Sequence, residues 1–81
     1  MNNIYEAIKR LPDDPDMNVI WVTYNEDMKK TAIQLISLLK GERYMDRCRV
    51  VSRDNFEVPV VGSHLIYYSP DLLDHMGNGA N

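Results

Sequence analysis

Several features that whole classes of proteins require are missing from this sequence. Cys48 is the single cysteine, so no disulfide can form within the chain, which favours a reducing compartment. No apolar run approaches the roughly 20 residues that a membrane-spanning helix needs. The N-terminal segment, MNNIYEAIKR, is polar and lacks the apolar stretch of a secretory signal. We therefore expect a cytoplasmic protein with no membrane partner.

The four glycines are placed where they cannot build a phosphate-binding loop. Such a loop has the pattern G-x-x-x-x-G-K-[ST], whose backbone amides hold the phosphates. No glycine here precedes a Lys-Ser or Lys-Thr pair, and the one Lys-Thr pair, Lys30-Thr31, falls inside a predicted helix. No Asp-Glu pair ends an apolar strand to hold magnesium. The sequence therefore predicts no nucleotide site, and we expect no cofactor.

Basic residues are absent from the last third of the chain and concentrated in its middle. Residues 1–27 carry two basic and six acidic side chains, residues 28–53 carry seven and two, and residues 54–81 carry none and four. A basic centre between acidic ends is typical of a binding face. It is also typical of a fold whose segments neutralise one another, and the sequence leaves both arrangements open.

The first half of the chain has the pattern of a helix, a turn, a strand and a second helix. Apolar residues recur at helical spacing in residues 3–11, and the prolines of the acidic turn PDDPD end that helix. Residues 18–24 are mostly β-branched or aromatic, which predicts a central strand covered on both faces. Asn25 is a good N-cap for a long amphipathic helix that ends at Gly41.

The second half predicts two more strands and a short helix. Residues 47–53 and 63–69 have strand patterns, and a helix from Pro70 ends at Gly77. The loop between the two strands is short enough for an antiparallel return. The predicted fold class is a small α/β domain in the order α-β-α-β-β-α, with a three-stranded mixed sheet and the long helix on one face.

These elements group into one domain of residues 1–81. Residues 1–17 form the N-terminal helix and the acidic turn, residues 18–76 form the β-α-β-β-α core, and residues 77–81 are a frayed tail. A core of this size is small, so we expect stability to be modest or to depend on a partner.

Three segments occur in an order that resembles part of the core of phage large-terminase and helicase-type ATPases. They are the strand and turn WVTYNED, the helix MKKTAIQLISLLKG and the strand VGSHLIYYSP. The similar part of those ATPases follows their phosphate loop, and the resemblance covers residues 18–78. Because the nucleotide motifs are missing, no functional residue carries over. The resemblance implies a phage-type accessory factor, which would act in the host cytoplasm.

A candidate binding face lies on the predicted sheet. If Ile20 and Val22 face the long helix, Trp21 faces the other way, and arginines of the second strand line the same open face. Arginine and aromatic side chains on an open sheet form a stacking platform for single-stranded nucleic acid or a protein-binding hot spot. In the alternative arrangement, the N-terminal helix packs on Trp21 and covers the face. The predicted partner-binding residues are Trp21, Arg47, Arg49, Arg53, Tyr67, Lys29 and Lys30.

The sequence offers little for catalysis or metal binding. Cys48 and His64 could pair as nucleophile and base, but no third residue suggests itself to orient the histidine. Cys48, His64, Asp74 and His75 lack a recognised ligand spacing, and the acidic turn lacks the pattern of a calcium loop. We therefore predict no catalytic and no metal-binding residues.

The interpretation that fits these observations is a small non-enzymatic interaction protein that binds and modulates a host or viral protein complex. The alternative is a nucleic-acid-binding module that uses the Arg/Trp/Tyr sheet face. The net charge of −3 favours a protein partner. A homodimer through exposed sheet edges or helix packing is compatible with either interpretation.

Overall fold

The computed structural model describes residues 3–59, 62 and 64–79. Three helices and three strands follow one another along the chain in this order: α1 (Ile4–Lys9), β1 (Asn18–Thr23), α2 (Glu26–Lys40), β2 (Cys48–Ser52), β3 (His64–Tyr68) and α3 (Pro70–Gly79). Short 3₁₀ turns occupy Glu42–Asp46, which the sequence did not predict, and Arg53–Asn55. The backbone of α3 continues past Gly77, at which the sequence predicted its end, and residues 80 and 81 lie outside the described part.

The junction between β1 and α2 follows directly from local sequence. The Asn25 side chain accepts a hydrogen bond of 2.9 Å from the Met28 N–H and so caps the helix. Glu26 and Asp27 then place negative charge at the positive end of the helix dipole. At the other end, Gly41 has φ 98° and donates to the Ser37 carbonyl, which ends the helix in a conformation that favours glycine.

The three strands form one open sheet in the order β2-β1-β3, and both pairings are parallel. The prediction of a three-stranded sheet is confirmed, but the prediction of a mixed sheet is wrong. β3 lies beside β1, with the chain between Ser52 and His64 crossing from one end of the sheet to the other. Eleven residues can span about 36 Å when extended, whereas a five-residue strand is only about 17 Å long. The connection is therefore long enough for a parallel crossover without a helix.

Two apolar clusters pack against the two faces of the sheet. On one face the side chains of Val19, Trp21 and Val50 pack against α2, through Ala32 and Ile36. The same cluster includes Ile8 and Leu11 from the N-terminal segment and Tyr44 from the first 3₁₀ turn. On the opposite face Ile20, Val22 and Val51 pack with Leu72 of α3, and Phe56 of the β2–β3 connection lies against them.

The two crossover connections run over opposite faces of the sheet. α2 joins β1 to β2 on the Trp21 face, and the segment containing Phe56 joins β2 to β3 on the Ile20 face. The second connection runs across the sheet in the direction opposite to the first. Both crossovers can therefore be right-handed only if they run over opposite faces. This winding matches the first three strands of a doubly wound sheet of strand order 2-1-3-4-5. The described residues between β2 and β3, 53–59 and 62, form no α-helix.

Within the described residues, no helix combines the length and the apolar character needed to cross a membrane. The longest, α2, has 15 residues and carries charged side chains.

We predict that Trp21 stabilises the fold through the packing of its ring and not through a hydrogen bond of its N–H. Trp21 is 1% exposed, and no described residue accepts a hydrogen bond from its buried Nε1. Trp21→Ala should lower the free energy of unfolding by about 3–5 kcal/mol because it leaves a cavity. Trp21→Phe should cost only about 1–2 kcal/mol, since it also removes the unpartnered donor. Urea unfolding followed by circular dichroism measures both losses, and equal losses would contradict the stabilisation of the fold by the packing of the ring.

Candidate functional site

The predicted Arg/Trp/Tyr face does not exist as an open surface. Trp21 and Tyr67 are register partners on one face, as expected, but α1 and α2 cover that face. Arg49 is the register partner of Ile20, so its side chain lies on the opposite face from Trp21. The alternation along each strand was predicted correctly. Two assignments are wrong. The long helix packs on Trp21 and not on Ile20, and the register of β2 against β1 places Arg49 on the face of Ile20 and not on that of Trp21.

The other predicted binding residues are dispersed. Arg47 donates to the backbone carbonyl of Asp14, and its guanidinium lies 4.3 Å from the centre of the Tyr44 ring. Arg53 lies over the Tyr24 ring at 4.1 Å, beyond the end of β2. Lys29 and Lys30 lie on α2, where Lys29 is 3.7 Å from the Glu26 carboxylate and Lys30 is exposed. The structure therefore brings together Trp21 and Tyr67 but separates them from the basic residues.

Part of the basic middle segment neutralises the acidic turn. This is the arrangement in which segments of opposite charge neutralise one another within the fold. Lys40 Nζ donates to the Leu11 carbonyl at 2.9 Å and to Asp13 Oδ1 at 2.8 Å. The Tyr44 hydroxyl donates to the Pro12 carbonyl at 2.6 Å, and burial raises the pKa of Tyr44 to about 12. These contacts, with that of Arg47, fasten the acidic turn to α2 and to the segment before β2.

The contacts of Lys40 with the acidic turn are called the clamp below. We predict that this clamp contributes to the free energy of unfolding in a pH-dependent manner. The hydrogen bond and the charge of Lys40 hold the pKa of the Asp13 carboxyl below its ordinary value of 3.8. A lowered pKa in the folded state stabilises the protein above pH 3.8, and this contribution disappears as the pH falls through the folded-state value. Asp13→Asn should remove that part of the acid dependence of the unfolding free energy.

The matching change on the other side of the clamp is Lys40→Met, which keeps the aliphatic stem. It removes the ammonium donor from the carbonyls of Lys9 and Leu11, so we expect a loss of about 1–2 kcal/mol at pH 7. Urea unfolding at pH 7 and at pH 3 measures both variants. Lys30→Met, on the exposed face of α2, is the control and should have little effect.

The carboxyl ends of β1 and β3 form the point at which a doubly wound sheet places its ligand site. Asp71, near the start of α3, closes this end: its Oδ2 accepts from the Tyr24 N–H at 2.9 Å, and its Oδ1 accepts from the Ser69 hydroxyl. The carboxylate thus continues the β1 ladder beyond the last pair. Because its two oxygens already accept these bonds, Asp71 fastens α3 to β1 and is poorly placed to receive a ligand.

Tyr24 stacks on both sides at the same end of the sheet. Its ring is parallel to the His75 ring, with centroids 3.6 Å apart and an interplanar angle of 9°, while Arg53 covers the other side. The acidic first turn of α2 lies next to this stack, with Glu26 Oε1 3.4 Å from Asn55 Nδ2. Carboxylates in this position repel phosphate from the first turn of the helix.

Cys48 and His64 do not form a pair. They lie on β2 and β3, and β1 separates those strands. Cys48 is buried in the cluster beneath α2, where burial raises the pKa of its thiol to about 11. An activated nucleophile needs the opposite shift.

We predict that Cys48 alkylates more slowly in the native protein than a free cysteine does at pH 7. The raised pKa keeps the thiol protonated, and burial blocks access. Iodoacetamide kinetics followed by mass spectrometry measure the rate, with the protein in urea as the control, where the rate should rise to that of a free cysteine. Fast labelling of Cys48 in the native chain would contradict this prediction and support a Cys/His mechanism.

A cavity of about 640 Å³ lies beneath the β2–β3 connection. Its apolar lining includes Ile20, Val51 and Phe56. Its charged lining has both signs: Arg47, Arg49, Asp46 and Glu57. The volume is in the range of small-molecule pockets, but the balanced charge selects no ligand class.

The sequence predicted exposed sheet edges but not that β3 forms one of them, and the structure places β3 at an edge. The Ser69 N–H donates to the Val22 carbonyl at 2.8 Å, so alternate residues before Ser69 also direct their backbone groups towards β1. The backbone N–H and C=O groups of His64, Ile66 and Tyr68 therefore point outward, and no described residue pairs with them. The signal in the sequence was HLIYY, an apolar strand without a charged residue.

A groove of about 360 Å³ adjoins this edge. One wall comes from α1 and the residue before it, and the other from Tyr68, Pro70 and Leu73. Tyr68 is 47% exposed and Leu73 is 43% exposed. The outward backbone of β3, this groove and its two exposed apolar side chains together are called the β3 edge surface below.

Among the described residues, no three histidine, cysteine, aspartate or glutamate side chains lie close enough to hold a metal ion. Comparison of the chain with protein-family models, curated proteins and solved structures finds no match.

Proposed function

We propose that this chain is a small non-enzymatic interaction protein that binds another protein through the β3 edge surface and thereby modulates the complex it joins. The observation that carries the proposal is an unpaired, uncharged edge strand with exposed apolar side chains beside it. The phage-type accessory role that the sequence resemblance implies remains a prediction within this proposal.

The backbone of β3 supplies the affinity for such a partner. An extended segment that adds to an open edge pairs with backbone groups that otherwise bond only to water. On β3 these groups belong to His64, Ile66 and Tyr68. Since main-chain pairing carries little sequence information, side-chain contacts must supply specificity.

The groove supplies those contacts. Tyr68 and Leu73 provide apolar area, and Arg10 and Glu6 of the α1 segment line the same groove. An aromatic or aliphatic side chain of the partner fits between them, with polar groups at the rim. Tyrosine and arginine are enriched among residues that dominate protein interfaces.

The other edge of the sheet is protected against such pairing. β2 carries the exposed Arg49, and Arg47 and Arg53 flank the strand. Charged side chains on an edge strand discourage the addition of another strand. The contrast between a charged β2 edge and an uncharged β3 edge points to β3 as the binding edge.

Charge also favours protein over nucleic acid at this surface. Residues 54–81 contain no lysine or arginine. Among the described residues that line the groove, Arg10 is the one with a basic side chain. Nucleic-acid binding relies on several cations that replace the counterions of phosphates. The sheet-face platform that suggested nucleic acid is covered by α1 and α2.

We predict that Leu73→Glu abolishes capture of partner proteins, because it places a charge at the apolar groove. Leu38→Glu is the matched control: Leu38 is 77% exposed on α2 and does not line the groove. Immobilised wild-type and variant chains are compared by quantitative mass spectrometry of the proteins each retains from lysate of the source cells. Proteins retained by wild type and Leu38→Glu should be lost with Leu73→Glu. Equal retention by all three chains, or no retention by wild type, would contradict the proposal.

A further inference from the structure

We infer that the β3 edge also accepts a second copy of this chain, whose β3 pairs antiparallel with the first. This inference rests on the proposed function, because it names one occupant of the same surface. The two three-stranded sheets would then form one continuous six-stranded sheet across a twofold axis.

The geometry of β3 is self-complementary about Ile66. With the axis at Ile66, the two Ile66 residues face each other, and His64 of each copy faces Tyr68 of the other. The outward groups of these three positions are the ones left unpaired by β1. Three antiparallel pairs of this hydrogen-bonded type exchange about six hydrogen bonds. The same patch is used on both copies, as a closed twofold dimer requires.

The side chains do not oppose this pairing. HLIYY carries no aspartate, glutamate, lysine or arginine, so two copies bring no like charges of the strand together. On the β2 edge, in contrast, Arg47, Arg49 and Arg53 of the two copies would approach one another. Twofold pairing through β3 is therefore favoured over pairing through β2.

The size of the domain also favours the pairing. β3 has the burial pattern of a strand that lacks a neighbour: its first and last residues are exposed and its middle three are half-buried. β1, in comparison, is buried from Val19 to Thr23. A small three-stranded sheet gains a second ordered neighbour for its least covered strand when the copies pair.

A second copy and a foreign strand compete for the same backbone groups. The fraction of chains able to capture another protein should therefore fall as the concentration of the chain rises. Self-association would then limit the availability of the binding edge.

The first test combines sedimentation equilibrium with amide hydrogen exchange over a range of protein concentrations. We expect a mass that rises from monomer to dimer. The N–H groups of Ile66 and Tyr68 should exchange quickly in the monomer and slowly in the dimer. The N–H groups of Tyr67 and Ser69 should be protected at every concentration, because they point towards β1.

Two variants test whether the edge itself forms the dimer. Ile66→Pro removes an outward N–H that the monomer does not use, and proline is tolerated on an edge strand. Tyr68→Lys removes the aromatic side chain that faces His64 of the other copy and places a charge on the edge strand, so it should raise the dimer dissociation constant by about tenfold or more. Val58→Lys is the matched control, because Val58 is 70% exposed and lies outside β3, and it should leave the dimer intact. If circular dichroism shows that Ile66→Pro does not fold, Tyr68→Lys alone tests whether the β3 edge forms the dimer.

The outcomes distinguish this inference from the proposed function. A dimer that weakens with Tyr68→Lys and protects Ile66 and Tyr68 supports the inference. A dimer that both edge variants leave intact overturns it, as does a chain that stays monomeric at every concentration. If the chain is monomeric but Leu73 still controls capture of other proteins, the inference fails and the proposed function stands. If it is monomeric and captures nothing, both fail.

Discussion

The burial of β1 on both faces is the constraint on which the rest of the structure depends. β1 lies between β2 and β3 and has a packed layer above and below it. α1 and α2 pack on the face of Trp21, and α3 and the β2–β3 connection pack on the face of Val22. The side chains from Val19 to Thr23 all lose contact with water, so burial stabilises this strand more than any local preference does.

The covering of the two faces is unequal, and the inequality produces the candidate site. One face has the long helix, while the other has a short terminal helix and an irregular segment around Phe56. β3 is paired on one side and is the least buried strand. Its apolar side chains and outward backbone groups are therefore left at the surface, next to the groove formed with α1.

The charges of the chain mainly organise the fold and protect its edges. Lys40 and Arg47 hold the acidic turn through backbone carbonyls as well as through Asp13, which is why a basic segment next to an acidic one need not bind an external partner. Arg49 remains exposed on β2, where a charge opposes strand addition. At the carboxyl end of β1, Asp71 accepts a hydrogen bond from the Tyr24 N–H and so joins α3 to the sheet.

The sequence by itself determined the features that depend on neighbouring residues. β-branched and aromatic residues identified β1, Asn25 and Gly41 marked the ends of α2, and alternation showed that Trp21 and Ile20 face opposite ways. It also excluded a phosphate loop, which requires glycines in a fixed local pattern.

Only the tertiary structure decided which face of β1 the long helix covers and which strand lies beside β3. Alternation is symmetric with respect to the two faces, so it cannot show that Ala32 and Ile36 pack on Trp21. The length of the β2–β3 connection permits either an antiparallel return or a parallel crossover. The parallel crossover is favoured because it buries Ile20, Val22 and Val51 together with Leu72, which are far apart in the chain. This arrangement leaves the outer edge of β3 open.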